Sequence, residues 1–281
     1  MAPPTFADLG KSAKDLFTKG YNHGFLKVES TTNAGDNKEV EFKTNAAHNI
    51  ANGKLAGNLD VKYKLPKYGL TLTEKWNTDN QLGTVVEVDE QFGRGLKLTF
   101  DSTYAPHAGK RSGKLKADWS HPTARVTADV GLTAAPVVNA AAVFAREGWL
   151  FGASATFDTA TNKLAGSQLA FGHTTPDYTL HSFVLNSNEF GATLFHKVGR
   201  SVELGAQLGW KTGSNGASYG LATKYAPCKD VTFRAKVNNE SQVAVAATHS
   251  LSDALKLTLT SQFNLANNEA HKFGLGLEFT P

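Results

Sequence analysis

From about residue 21 to the C-terminus, apolar and polar residues alternate with a period of two, and this pattern constrains the fold more than any other feature of the sequence. In KLAGNLDVKYKL, residues 54–65, a row of Leu, Val and Tyr alternates with a row of Asn, Asp and Lys. The same pattern recurs at 95–104, 123–132, 255–263 and 272–279. Such alternation predicts β-strands with one apolar face, and segments of roughly 9–11 residues suit strands that cross a bilayer at a tilt.

Short turn signals separate these strands and give their approximate number. Segments rich in Asn, Asp, Gly, Ser and Pro occur at 77–80, 106–113, 120–122, 186–189, 213–216, 238–241 and 264–270. Counting the runs between turns predicts about nineteen strands, joined in sequence as an antiparallel meander. We expect so large a sheet to close into a barrel, because an open sheet edge promotes aggregation.

The first twenty residues have helical rather than strand periodicity. On a helical wheel the apolar face comprises Phe6, Leu9, Ala13, Leu16 and Phe17, and the polar face Lys11, Asp15, Thr18 and Lys19. The sequence therefore predicts an all-β chain in two parts. An N-terminal amphipathic helix segment occupies 1–20, and a single β-barrel occupies 21–281.

Alternation alone fits a soluble β-protein as well as a membrane barrel. A mean hydropathy of −0.30 agrees with a soluble chain, but membrane strands give a similar average because half of their residues are polar. Aromatic residues gather at strand ends, as in interfacial girdles; they are Tyr63, Trp76, Tyr104, Trp119, Trp149, Trp210 and Tyr225. Many apolar positions hold small residues, which fill a protein core poorly. These features favour a transmembrane barrel whose apolar row faces lipid and whose polar row lines a wide pore.

The composition favours transport over catalysis. Lys and Arg number 29 and Asp and Glu 25, giving a net charge of +4, and a pore lined with a small excess of basic residues is expected to prefer anions weakly. The single cysteine, Cys228, and nine dispersed histidines form no metal-binding pattern. No catalytic grouping can be assembled, and the basic residues are too scattered for nucleic-acid binding. We therefore expect no enzyme activity and no cofactor or metal.

One interruption of the alternation indicates where the N-terminal helix packs. In residues 137–157 the aromatic side chains share the lipid-facing row, which places Val143 and Leu150 in the lumen. Apolar side chains are poorly placed in a water-filled lumen unless something covers them. We expect Leu9 and its neighbours to dock on Val143 and Leu150 inside the pore.

Six segments resemble, in order, the voltage-dependent anion channels, which are the mitochondrial porins. They are PTFADLGKSAKDLFTKGY, YGLTLTEKWNTDN, GRGLKLTFDS, REGWL, KVNNES and HKFGLGLEF. The resemblance implies a barrel of nineteen strands in the mitochondrial outer membrane, with its first and last strands paired in parallel. It also implies voltage-gated passage of ATP, ADP, phosphate and small metabolites, and hexokinase docking and homo-oligomerisation among the interactions.

The same resemblance implies residues that contact nucleotides in the pore. Lys11 and Lys19 match basic positions of the family's helix, and Lys14 keeps the charge where vertebrate members often carry Arg. The family's GLK motif is present as Gly95, Leu96 and Lys97.

Glu74 interrupts the apolar row of GLTLTEKWN, residues 69–77. If that row faces lipid, the carboxyl group lies either in hydrocarbon, where protonation limits the cost of desolvation, or near the headgroups beside Trp76. The residues alone leave both open. Family members carry a lipid-facing glutamate here that is tied to gating dynamics, self-association and hexokinase docking. An alternative function therefore remains: a membrane docking or lipid-handling barrel that acts through its surface around Glu74.

Overall fold

The computed structural model describes residues 2–35, 39–213, 216–266 and 271–281. Within them the chain begins with a 3-10 helix, Phe6–Asp8, and the α-helix α1, Lys11–Thr18, and then forms nineteen strands. The strands are β1 (Phe25–Ala34), β2 (Val40–Asn49), β3 (Leu55–Leu65), β4 (Leu70–Asn77), β5 (Leu82–Asp89), β6 (Leu96–Ala105), β7 (Lys110–Ser120), β8 (Ala124–Gly131), β9 (Val137–Arg146), β10 (Trp149–Asp158), β11 (Lys163–Thr174), β12 (Tyr178–Leu185), β13 (Glu189–Lys197), β14 (Val202–Lys211), β15 (Ala217–Tyr225), β16 (Val231–Asn238), β17 (Gln242–Ser250), β18 (Leu255–Asn264) and β19 (Lys272–Phe279). Short 3-10 helices, Pro66–Tyr68 and Pro106–Ala108, connect β3 to β4 and β6 to β7.

The strands form one closed sheet, which confirms the predicted barrel and its strand number. Each strand pairs antiparallel with the next, and β1 pairs in parallel with β19, with Leu26 opposite Leu275 and Ser30 opposite Phe279. Closure leaves no strand edge unpaired, so the backbone of the wall can lie in lipid without exposed N–H or C=O groups. The turns predicted at 213–216 and 264–270 fall partly outside the described residues.

The apolar row of each strand points outward. The seven aromatic residues named above are all exposed on this face, and Trp76 has the largest exposed fraction among them at 55%. Exposed Trp and Tyr near strand ends have the positions of interfacial girdles.

None of the helices formed by the described residues is both long enough and apolar enough to be a transmembrane helix.

The N-terminal helical segment is broken at Gly10, whereas the sequence predicted one continuous helix. Gly10 has a φ of 68°, and a Cβ on it would lie 2.7 Å from Nδ1 of His181 on β12. The left-handed backbone and this close approach both require glycine. The break separates the 3-10 helix, which contacts β9 and β10, from α1, which packs on β13, β14 and β15.

Candidate functional site

The N-terminal segment lies on the inner face of the barrel, over glycines of the wall. A Cβ on Gly152 of β10 would lie 2.9 Å from Cδ1 of Leu9 and from Cδ2 of Phe6. Gly152 pairs with Val143 across the β9–β10 ladder, and Val143 is only 1% exposed. Leu9 therefore packs over Gly152, directly beside the position of its ladder partner Val143. Leu150, two residues before Gly152 on the same row, is partly buried.

The apolar face of α1 packs against two further glycines. A Cβ on Gly205 of β14 would lie 2.9 Å from Cδ1 of Leu16, and one on Gly220 of β15 would lie 3.2 Å from Cε1 of Phe17. Leu16 and Phe17 belong to a buried cluster with Ala13, and the absence of wall side chains at both glycines lets the helix lie close to the sheet.

Lys236 of β16 holds the C-terminal end of α1. Its Nζ donates a hydrogen bond of 2.7 Å to the carbonyl oxygen of Phe17 and lies 4.3 Å from the centroid of the Tyr21 ring. The last carbonyls of a helix lack intrahelical donors, and a cation there also favours the helix dipole. Burial raises the pKa of the Tyr21 phenol to about 12, with nearby Arg234 acting in the opposite direction.

A short linker, residues 19–24, joins α1 to the wall. Gly24 donates its backbone N–H to the carbonyl of Phe273 (2.8 Å) and accepts a hydrogen bond from the N–H of Ile50 (2.9 Å). His23 is partly buried in this linker, and its pKa is lowered first by burial and then by the charges of Lys236 and Lys272.

Polar and charged side chains line the rest of the inner face, and many of them form ion pairs between neighbouring strands. These pairs are Lys64–Glu41 (3.7 Å), Lys97–Glu87 (2.9 Å), Lys114–Asp129 (3.1 Å), Arg125–Asp118 (2.6 Å) and Lys224–Glu203 (3.1 Å). In the described part of the chain, several inner-face cations form no ion pair within 4.0 Å: Lys43, Lys62, Lys116, Arg234, Lys236 and Lys256. Fewer inner-face acids are without an ion pair among the described residues; they include Asp60, Asp89, Asp101, Asp158 and Glu278. The wall thus carries a modest excess of unpaired positive charge.

Comparison with known proteins decides the family. The sequence profile described as eukaryotic porin matches residues 2–274. The chain belongs to the eukaryotic porin family. A "Probable voltage-dependent anion-selective channel" of Caenorhabditis elegans is 76% identical to this porin over 281 residues, which cover 100% of this chain and 99% of the relative.

Vertebrate relatives align over almost the whole porin. The "Non-selective voltage-gated ion channel VDAC2" of Meleagris gallopavo is 43% identical over 98% of this chain and 94% of its own. The "Non-selective voltage-gated ion channel VDAC1" of Homo sapiens is 41% identical over 99% of this chain and 98% of its own. The similarity therefore includes both the N-terminal segment and the wall.

Two of the three helix lysines expected to contact nucleotides are paired with neighbouring acids in the porin. Nζ of Lys11 lies 2.7 Å from Oδ1 of Asp8, and this hydrogen bond raises the pKa of Lys11 and lowers that of Asp8. Nζ of Lys19 lies 2.7 Å from Oδ2 of Asp15, while Lys14 is exposed. Exposed pairs of this kind exchange readily with water, so these ammonium groups remain accessible to anions.

The three residues of the GLK motif lie in different environments. Lys97 points into the lumen and pairs with Glu87, whereas Leu96 stands on the outer row opposite Trp119. Gly95 occupies the turn before β6 with a φ of 71°, and a Cβ on it would overlap the carbonyl oxygen of Ser120. Only Lys97 of the motif therefore faces the pore.

Glu74 lies on the outer face of β4, among the apolar side chains. It is exposed, it stands opposite Thr84 in the β4–β5 ladder, and Oγ1 of Thr84 donates a hydrogen bond of 3.0 Å to its Oε2. Trp76 follows two residues later on the same face. The carboxyl group thus has a polar partner of its own on a surface that is otherwise apolar.

Four residues that position the N-terminal segment do not stand out as functional in the sequence: Gly152, Gly205, Gly220 and Lys236. The glycines do carry a signal, because each falls on the polar row of its strand, where a side chain would otherwise project into the lumen. No sequence signal marks Lys236, since its partner Phe17 lies 219 residues away in the chain.

Proposed function

We propose that this porin is a voltage-gated, weakly anion-selective diffusion channel of the mitochondrial outer membrane. We further propose that ATP, ADP, phosphate and small metabolites pass through it. The unpaired cations of the inner wall are the observation that carries this proposal. The names of the full-length relatives support it as well.

The anion preference follows from charge that lines the pore without forming a tight site. Lys43, Lys116 and Lys256 attract anions over a distance, whereas the wall's ion pairs contribute little net potential. Screening shortens this attraction to about 8 Å at physiological ionic strength, so selectivity is expected to weaken as salt increases.

Voltage dependence requires charge that moves in the membrane field, and we propose that the N-terminal segment supplies part of it. The segment carries Lys11, Lys14 and Lys19 together with Asp8 and Asp15. Each elementary charge that crosses the full field contributes about 2.3 kcal/mol per 100 mV, so a few effective charges suffice to shift the open state.

Planar-bilayer recording of the purified porin in a salt gradient tests the proposal. We expect a large ohmic conductance, a reversal potential of anionic sign that shrinks at high salt, and lower conductance at raised potential of either polarity. A cation-preferring reversal potential, or no conductance from folded protein, would contradict it.

A second candidate function, which can coexist with conduction, is docking through the outer surface around Glu74. A hydrogen-bonded carboxyl group on an apolar face favours it, because such a group is costly in lipid unless a partner uses it. Hexokinase docking and homo-oligomerisation are the two interactions that we propose for this surface.

A further inference from the structure

The linker between α1 and β1 passes over the inner face of the wall at two glycines of β19. The inner row of this strand reads Lys272, Gly274, Gly276 and Glu278, so two positions without side chains lie between two charged ones. Asn22 of the linker occupies this gap, which we call the β19 saddle (Gly274 and Gly276). A Cβ on Gly274 would overlap the carbonyl oxygen of Asn22, and a Cβ on Gly276 would overlap its side-chain Nδ2.

Backbone hydrogen bonds fix the linker at this position. The carbonyl oxygen of Asn22 accepts a hydrogen bond from the N–H of Phe25 (3.0 Å), which closes a turn immediately before β1. The N–H of Gly24 donates to the carbonyl of Phe273, the residue next to the saddle (2.8 Å). Oγ1 of Thr260 donates to the carbonyl of Gly274 from the neighbouring strand (3.2 Å), so the saddle itself is held in the sheet.

We propose that Gly274 and Gly276 are positioning residues for the N-terminal segment. Because they have no side chains, Asn22 lies directly on the wall, and this contact sets the direction in which the linker leaves the wall. That direction in turn determines where α1 meets Lys236 and the glycines Gly205 and Gly220. A linker lifted off the saddle carries the end of α1 away from the wall. The part of this inference that concerns gating rests on the proposed channel function; the part that concerns docking does not.

The two glycines contact different parts of Asn22, and this difference gives the inference a specific signature. Gly276 faces the side-chain amide, whereas Gly274 faces the backbone carbonyl. Shortening the side chain by Asn22→Ala therefore relieves the overlap created by Gly276→Ala. The same change leaves the overlap created by Gly274→Ala in place.

The experiment measures the mobility of the N-terminal segment with a spin label at position 18, in a Cys228→Ser background, in refolded porin in lipid vesicles. Thr18 is exposed on α1, so the label reports undocking without disturbing the packed face. We expect G276A to increase label mobility and N22A/G276A to restore the parent spectrum. G274A is expected to increase mobility whether or not N22A is present. Gly83→Ala is the matched control, because Gly83 also lies on the inner row and a Cβ there meets its nearest atom at an ordinary 3.5 Å.

A second variant keeps the test valid if the alanine substitutions prevent refolding. Asn22→Trp enlarges the linker and leaves the barrel wall unchanged, and we expect it to mobilise the label as G276A does. The inference is overturned if G276A or N22W gives the spectrum of G83A, or if N22A fails to restore G276A.

Bilayer recording of the same variants separates this inference from the channel function. We expect G276A to shift the midpoint voltage of closure, with N22A/G276A returning it to the parent value and open-state conductance unchanged throughout. If label mobility follows the predicted pattern in a protein that does not conduct, the positioning role of the β19 saddle is supported and the proposed channel function is contradicted.

Discussion

Nζ of Lys236 donates a hydrogen bond of 2.7 Å to the carbonyl oxygen of Phe17, and so a residue of the barrel wall caps the C-terminal end of the N-terminal helix. The helix is short, at eight residues, and a helix of this length is marginal in water without tertiary contacts. Its order in the lumen therefore depends on the wall: on Lys236 at one end and on the packing of Leu16 and Phe17 over glycine along its length.

Replacing Lys236 by Gln is expected to loosen this end of α1. The loss of a charge-assisted hydrogen bond corresponds to about 2 kcal/mol of docking free energy. Increased mobility of a label at position 18, and a changed midpoint voltage, would report it. Lys256→Gln is the matched control, because it removes the same charge from the inner row of β18. Both variants should reduce anion selectivity, and equal label mobility in the two would refute the capping role.

Acidification is expected to undock the linker through His23. Its pKa is lowered in the docked state by burial and by Lys236 and Lys272, so docking favours the neutral imidazole. The docked state is thus fully stable above the ordinary histidine pKa of 6.5 and loses stability as the pH falls below it. Label mobility should rise below about pH 6.5 in the parent and stay flat in His23→Gln. His107→Gln, in an exposed turn, should behave like the parent; a parent response that persists in H23Q would assign the effect elsewhere.

The Lys97–Glu87 pair distinguishes a discrete anion site from a diffuse field. Lys97→Gln alone removes one positive charge from the lumen and should lower anion selectivity, measured as reversal potential in a salt gradient. The double variant K97Q/E87Q leaves the net charge unchanged and should restore both selectivity and ATP permeability. Loss of ATP passage that persists in the double variant would instead show that Lys97 binds nucleotide directly.

Glu74→Gln is expected to leave open-state conductance intact while changing slow dynamics or partner binding. The reason is that its side chain lies on the outer face and takes no part in the lumen. Single-channel recording and a binding assay with hexokinase on porin-containing vesicles would measure the two effects. Thr84→Val is the companion variant, because it removes only the hydroxyl donor of Glu74. A collapse of conductance in E74Q would contradict the assignment of this face to lipid.

A disulfide between positions 9 and 143 is expected to form in the folded porin. Leu9 packs against Gly152, and Gly152 pairs with Val143. In a Cys228→Ser background, Leu9→Cys with Val143→Cys should crosslink under mild oxidation, whereas Leu9→Cys with Phe144→Cys should not, since Phe144 points outward. If the pair at positions 9 and 143 does not crosslink in a conducting barrel, Val143 is not part of the surface on which Leu9 docks.

The barrel could be predicted from the sequence because the patterns that specify it lie within each short segment of the chain. Alternation assigns each residue to a face, and turn residues count the strands. Leu70, Leu72, Glu74 and Trp76 accordingly share one face of β4, and the contact of Glu74 with lipid stays a prediction. The parallel pairing of β1 with β19 was implied by family resemblance alone, because no local pattern joins segments at opposite ends of a chain. The division into a helical segment at 1–20 and a barrel at 21–281 stays a prediction.

The N-terminal segment could be predicted only in part. Helical periodicity predicts its apolar face, and Ala13, Leu16 and Phe17 of that face are buried. The break at Gly10 cannot be predicted from local periodicity, because it depends on the approach of His181 from β12. The contacts of Lys236 and of the β19 saddle likewise join residues more than 200 positions apart, where only the closed barrel brings them together.

The odd number of strands has a consequence for the sidedness of the molecule. A chain that crosses a membrane an odd number of times leaves on the side opposite to its entry, so Phe25 at the start of β1 and Phe279 at the end of β19 lie at different rims. A protease-sensitive tag after Pro281 is therefore cleaved from one compartment, whereas a protease site in the β2–β3 turn, at residues 51–53, is cleaved from the other. Cleavage at the two rims thereby records the direction in which each barrel was inserted.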